Sequence, residues 1–234
     1  MENKFLWIGL TAFVVCAALG PVVIPLLHKF KFGQSIRGCG PESHLKKAGT
    51  PTMGGVLILF AMLVALVVWA DFTPGLWVAL FLTLGHGLIG GLDDGIKIVK
   101  KRNLGLTAKQ KLLCQFLMAG VFVWFAETHH FATVLWIPGV NWYWNWGMWY
   151  YLLVFVLLVG TTNAVNLTDG LDGLVTCVSL PVMITLGFFA LTLGMYDLTC
   201  FAVAVLGALM GFLLYNRHPA KVFMGDTGSL ALGG

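Results

Sequence analysis

Charge is what this sequence has least of. Only 10% of its 234 residues are Asp, Glu, Lys or Arg, while 59% are apolar. Soluble domains carry about 25% charged residues. A water-solvated globule of this size is therefore excluded, and soluble enzymes, disordered linkers and collagen-like chains go with it. Cysteine is also sparse: Cys16, Cys39, Cys114, Cys177 and Cys200 stand singly, without CxxC or Cys/His spacing. That pattern argues against a zinc site and for small, buried apolar side chains. The apolar stretch 5–27 lacks a convincing small-residue cleavage site, so it reads as a first membrane helix and not as a signal peptide.

Long uncharged runs are what the sequence has instead. A bilayer core about 30 Å thick takes about 20 helical residues. Windows of that order cover 5–27, 48–70, 72–92, 174–196 and 198–216. The shorter window 112–126 is extended by Lys109 and Lys111, whose stems can snorkel. The uncharged run 128–168 is too long for one span and holds Pro138, Gly139, Asn141 and Asn145. Its first part is expected to be an outer loop, with a small β-hairpin within 128–148, and a helix follows from 149. The expected fold is thus an all-α, polytopic helix bundle forming a single domain over 1–234. It has seven spans and the start of an eighth near Thr227.

Threading these spans in alternation places Lys29, Lys31, Arg37, Lys46 and Lys47 on one side. Lys97, Lys100, Lys101, Arg102, Lys109, Lys111, Arg217 and Lys221 join them, and Lys4 is the sole exception. By the positive-inside rule this side is cytoplasmic. The nine tryptophans fall at or near the opposite ends, as an interfacial belt does. The Trp-rich segment 136–149 suits either that belt or contacts in a homodimer.

The acids are distributed unevenly. Asp71, Glu127 and Asp197 fall in outer loops, whereas Glu42, Asp93, Asp94, Asp169, Asp172 and Asp226 share the basic side. Ionisable groups at membrane depth are costly and mark functional sites. Adjacent carboxylates such as Asp93 and Asp94 both ionise only near a cation, either Lys97 and its basic neighbours or a metal. Asn163, Asn166, Asp169 and Asp172 recur every third residue, which keeps near neighbours on one helical face. Asp226 stands among glycines, where it can cap a following helix. Oxygen ligands without a thiolate or histidine cage suit Mg²⁺, which is commonly held by carboxylates and substrate phosphates. Basic loops on the same side would attract a polyphosphate or anionic lipid. No nucleic-acid partner is implied. At this level the chain reads as an enzyme or a transporter with a Mg²⁺-compatible polyphosphate site.

Four ordered motifs sharpen this. Phe32-Gly33-Gln34 with Gly40-Pro41-Glu42-Ser43-His44-Leu45-Lys46-Lys47-Ala48-Gly49-Thr50-Pro51-Thr52-Met53-Gly54-Gly55 resembles the first cytoplasmic loop of the bacterial phospho-N-acetylmuramoyl-pentapeptide transferases. Asp93-Asp94 with Arg102-Asn103-Leu104-Gly105-Leu106, then 163–173, then 223–234, resemble that family's later motifs in order. The resemblance implies a Mg²⁺-dependent membrane enzyme of peptidoglycan synthesis in the bacterial inner membrane. Such an enzyme transfers phospho-MurNAc-pentapeptide from its UDP conjugate to undecaprenyl phosphate, releasing lipid I and UMP. It also implies Asp226 as the metal ligand, with Asp93, Asp94 and Asn163 at the catalytic centre. Lys47, Thr52, Asn166, Asp169, Asp172 and Phe223 would line the substrate pocket, with Phe223 against uracil, and Lys97 and Lys109 would contact phosphates. The alternatives are a sister enzyme using UDP-GlcNAc, a non-catalytic lipid-phosphate binder, or an inactive truncated copy. The family's further spans and its late histidine-rich loop have no counterpart in these residues, so the chain is expected to be a fragment of a longer protein.

Overall fold

A computed structural model describes residues 2–29, 49–100, 102, 104–137 and 139–234. Among them are α1 (Glu2–Lys29), α2 (Gly55–Trp69), α3 (Pro74–Val99), α4 (Ala108–Thr128) and the strands β1 (Val134–Ile137) and β2 (Trp142–Asn145). Then follow α5 (Met148–Thr168), α6 (Leu174–Thr192), α7 (Tyr196–Asn216) and α8 (Gly225–Gly233). Six of these helices, α1 and α3 to α7, are long and apolar enough to cross a membrane. The chain is a multi-pass helical membrane protein.

The second window, 48–70, departs from its expected full span. Its helix begins only at Gly55 and holds 15 residues, or about 22 Å at 1.5 Å per residue. Residues before it are uncharged for a different reason: their backbone is tied to the start of α8. Phe223 N–H donates to the Pro51 carbonyl at 2.8 Å, Gly54 N–H to that of Phe223 at 2.9 Å, and Gly55 N–H to that of Met224 at 2.8 Å. The eighth helix begins two residues ahead of its expected start, at Gly225.

The hairpin is present. Val134 faces Asn145 and Ile137 faces Trp142 in antiparallel register. Trp142 and Trp144, two residues apart on β2, stack with centroids 5.7 Å apart. Both are exposed, as an interfacial belt requires.

Packing divides between two centres. α7 lies against α1, α2 and α6, and α8 inserts against α3, α5 and α2. Small residues permit both approaches, as between membrane helices generally. Ala204, Ala208 and Gly211 are among the buried residues of α7. At the other centre, a Cβ on Gly90 of α3 would stand 2.0 Å from the Asp226 carbonyl oxygen. Only glycine lets α8 lie that close. At one end of the bundle Lys4 pairs with Asp71 at 2.6 Å, and Thr73 donates to Asp197 at 2.5 Å. These residues meet as the alternating threading requires.

Candidate active site

The site is built where α3, α4, α5 and α8 converge. Asp93 and Asp94 lie in the last two turns of α3 and are 1% and 2% exposed. Asp226 follows Gly225, whose φ of +73° is left-handed, a region glycine enters without steric cost. A Cβ there would also sit 2.6 Å from Thr52 Oγ1 and 2.7 Å from Asp94 Oδ2. Thr52, itself buried, thus abuts the turn that delivers Asp226.

Among the described residues Asp93, Asp94 and Asp226 each bring a carboxylate oxygen within 4.8 Å of the others. Two ammonium groups hold them together. Lys97 Nζ lies 2.6 Å from Asp93, 3.6 Å from Asp94 and 3.0 Å from Asp226. Lys111 Nζ lies 2.7 Å from Asp226 and 3.5 Å from Asp93. Backbone and side-chain donors complete the set. Leu106 N–H donates to Asp93 at 2.8 Å, and Asn166 Nδ2 donates to Asp226 Oδ1 at 2.9 Å and to Ser229 Oγ at 2.8 Å. Burial alone would raise the Asp226 carboxyl. The charges of Lys97 and Lys111, with the hydrogen bond from Lys111, outweigh that and hold it below the usual carboxylate range. Three carboxylates against two ammoniums leave the cluster formally one negative charge in excess.

Asp169, in the turn after α5, belongs to the same field. Burial, then repulsion from Asp226 and Asp94, pushes its carboxyl up to about 7, and a hydrogen bond from the Gly225 backbone offsets only part of this. Asn163 lies one turn deeper than Asn166 and bonds to Gln115 and to the Val159 carbonyl, both at 2.7 Å. Asp172 accepts from His218 Nδ1 at 2.9 Å and from Ala220 N–H at 3.2 Å, so it anchors the loop between α7 and α8. Phe223 is half-buried beside the tie to residues 51–54.

The structure therefore brings Asp93, Asp94, Lys97, Asn166 and Asp226 into direct contact, with Thr52 and Asp169 adjoining. Lys109 is exposed and outside the cluster. Lys47 lies outside the described residues. Sequence reasoning missed Lys111, Ser229 and Thr227 as members. The signal for Lys111 was available: Gln115 and Ala119 are buried on α4, and 111, 115 and 119 form an i, i+4, i+8 stripe on one helical face.

A multi-pass membrane protein with a buried carboxylate and ammonium cluster at one end of its bundle has the makings of a phosphate-handling membrane enzyme. Comparison with known proteins agrees. Residues 76–234 match the profile of glycosyl transferase family 4, and residues 47–59 match the phospho-N-acetylmuramoyl-pentapeptide-transferase signature 1. The chain is 50% identical over 238 residues to the phospho-N-acetylmuramoyl-pentapeptide-transferase of Bacillus subtilis (strain 168), covering 100% of this chain and 74% of that protein. It is 49% identical over 228 residues to the enzyme of the same name from Geobacillus thermodenitrificans (strain NG80-2), covering 95% and 70%. The chain belongs to the phospho-N-acetylmuramoyl-pentapeptide-transferase family, and it is a transferase.

Proposed function

We propose that this protein transfers phospho-MurNAc-pentapeptide from UDP-MurNAc-pentapeptide to undecaprenyl phosphate at the cytoplasmic face of the bacterial inner membrane, yielding lipid I and UMP. The observation that carries the reading is the Asp93, Asp94 and Asp226 cluster bridged by Lys97 and Lys111, in a chain of this family. The basic loops on that side support the cytoplasmic assignment.

The donor set fits Mg²⁺: hard carboxylate oxygens, close together, buried at Asp93 and Asp94 and part-buried at Asp226, with one formal negative charge in excess. Asp226 would hold the ion, with Asp93 and Asp94 beside it. When bound, Mg²⁺ neutralises pyrophosphate charge and so favours departure of UMP. The chain's own residues do the rest. Two anionic phosphates must approach one another, and Lys97 and Lys111 supply fixed positive charge where they meet. An oxygen of undecaprenyl phosphate attacks the β-phosphorus. The bond from that phosphorus to the oxygen shared with the α-phosphate breaks, and UMP leaves with that oxygen. A phosphate monoester with a second pKa near about 6 is mostly dianionic at neutral pH, so the attack needs no proton removed. Asp93 already accepts from Leu106 and pairs with Lys97 and Lys111. Its role in this reading is to position the two lysines.

The remaining pocket residues keep the roles the resemblance gives them. Lys47, Thr52, Asn166, Asp169, Asp172 and Phe223 bind the donor, and Lys109 meets its phosphates at the exposed rim. The deciding experiment offers purified protein undecaprenyl phosphate, Mg²⁺ and either UDP-MurNAc-pentapeptide or UDP-GlcNAc, and measures UMP. Release with the first donor alone is expected. Release with UDP-GlcNAc alone would move the protein to the sister activity, and binding of undecaprenyl phosphate without UMP would overturn the enzymatic reading.

A further inference from the structure

We infer that Gln115 is a positioning residue that turns Asn163 into a pure hydrogen-bond acceptor at the active site. The inference rests on the catalytic role proposed for Asn163.

Gln115 on α4 is fully buried. Its Oε1 accepts from Asn163 Nδ2 at 2.7 Å, and the same Nδ2 donates to the Val159 carbonyl at 2.7 Å. The carbonyl settles both amide orientations, because a backbone oxygen can only accept. The Asn163 atom facing Val159 must be nitrogen, and the Gln115 atom facing that nitrogen must be oxygen. Gln115 Nε2 is consequently turned away, and among the described residues it meets no partner although it is buried. A buried amide left unsatisfied is costly. An apolar residue of similar size would avoid that cost if Gln115 served packing alone.

The arrangement repeats the contact one turn above it. Lys111 and Gln115 are four residues apart on α4, and Asn166 and Asn163 three apart on α5, so each pair shares a face. The upper members meet at Asp226, and the lower members meet each other. Both N–H groups of Asn163 are spent on Val159 and Gln115. What Asn163 can offer a substrate or ion is therefore its Oδ1, which suits a donor or a cation and rejects a bare phosphate oxygen.

The test uses Gln115→Met, which keeps the volume and loses the acceptor, and Gln115→Glu, which keeps an acceptor oxygen in either protonation state. UMP release should fall about 10-fold in kcat for Gln115→Met, with KM for the sugar nucleotide nearly unchanged. Gln115→Glu should stay within about 3-fold of the parent. In an Asn163→Ala background Gln115→Met should add nothing, since it acts through the missing amide. Full additivity of the two losses, or equal impairment by Glu and Met, would overturn the proposal. A readout independent of turnover is the Asn163 side-chain amide resonance in nanodiscs, identified by its loss in Asn163→Ala. It should move in Gln115→Met. An unmoved resonance overturns the positioning role whatever the activity, whereas absence of UMP from the parent protein, with the resonance moved, counts against the catalytic reading alone.

Discussion

Asp94 on α3 accepts two hydrogen bonds from Thr227, its backbone N–H at 2.9 Å and its hydroxyl at 2.8 Å. One carboxylate thus caps the first turn of a helix 133 residues further along the chain, satisfying donors that helix starts leave open. Thr227→Val keeps the shape and removes the hydroxyl donor. It should lower folding stability by about 1–3 kcal/mol, read as a fall in the thermal midpoint of the detergent-solubilised protein. An unchanged midpoint would mean the cap contributes nothing.

Asp226→Asn should reduce Mg²⁺-dependent UMP release to background. The carboxamide still bonds Asn166 but loses the charge that both lysines and a metal require. Near-parental turnover would remove Asp226 as the metal ligand.

Lys111 and Lys109 differ by two residues and by their surroundings. Lys111→Met strips Asp226 of its 2.7 Å partner and leaves Lys97, at 3.0 Å, as its one remaining cation among the described residues. Turnover should fall at least about 100-fold, on the scale of losing one electrostatic stabiliser. Lys109→Met, at an exposed position, should cost far less and act mainly on KM. Equal losses in kcat would contradict the geometry.

Asp169 gives a pH signature to the metal-free protein. Its carboxyl is raised to about 7 by burial, with repulsion from Asp226 and Asp94 added, so the folded state prefers the neutral acid. The stability this contributes is complete below the ordinary value of 3.8 and is lost as pH rises through about 7. Asp169→Asn should flatten that part of the stability profile, measured by thermal melting from pH 4 to 8 in chelator. A mutant profile parallel to the parent's would rule this out.

Gly90→Ala places a methyl group 2.0 Å from the Asp226 carbonyl and 2.7 Å from Thr227 N. Backbone cannot yield as a side-chain tip does, so α8 must shift. The expected outcome is loss of activity with a lowered melting temperature. Gly95→Ala, where nothing lies within 4 Å, should be close to neutral.

Much of this was legible in the sequence, for identifiable reasons. The long spans follow from uncharged windows because a bilayer forbids charge over that length. The hairpin follows from turn-forming residues between aromatic runs. Asp93, Asp94, Asn166 and Asp226 drew notice because carboxylates and amides are expensive at that depth. Hydropathy could not show that residues 51–54 leave the helix, since a segment tied by backbone to Phe223 is as uncharged as one in lipid. Nor did a count of basic residues separate Lys109 from Lys111. That choice depends on helical phase, which the Thr107 and Gln110 capping box fixes at the start of α4. The turn of Asp172 toward His218 depends on a loop 46 residues away, and no local pattern reports it.

The wedge of α8 between α2, α3 and α5 also imposes an order on biogenesis. When α3 enters the membrane it carries two carboxylates, and Lys97 is the one cation within its own turns that pairs with them. Lys111 arrives with the next helix and Asn166 with α5, whereas Asp226 and the Thr227 donors come only after α6 and α7 have been made. Until then the cleft beside Gly90 has nothing to fill it. A ribosome stalled before residue 225 would accordingly leave six long apolar helices in the bilayer and an incomplete carboxylate cluster.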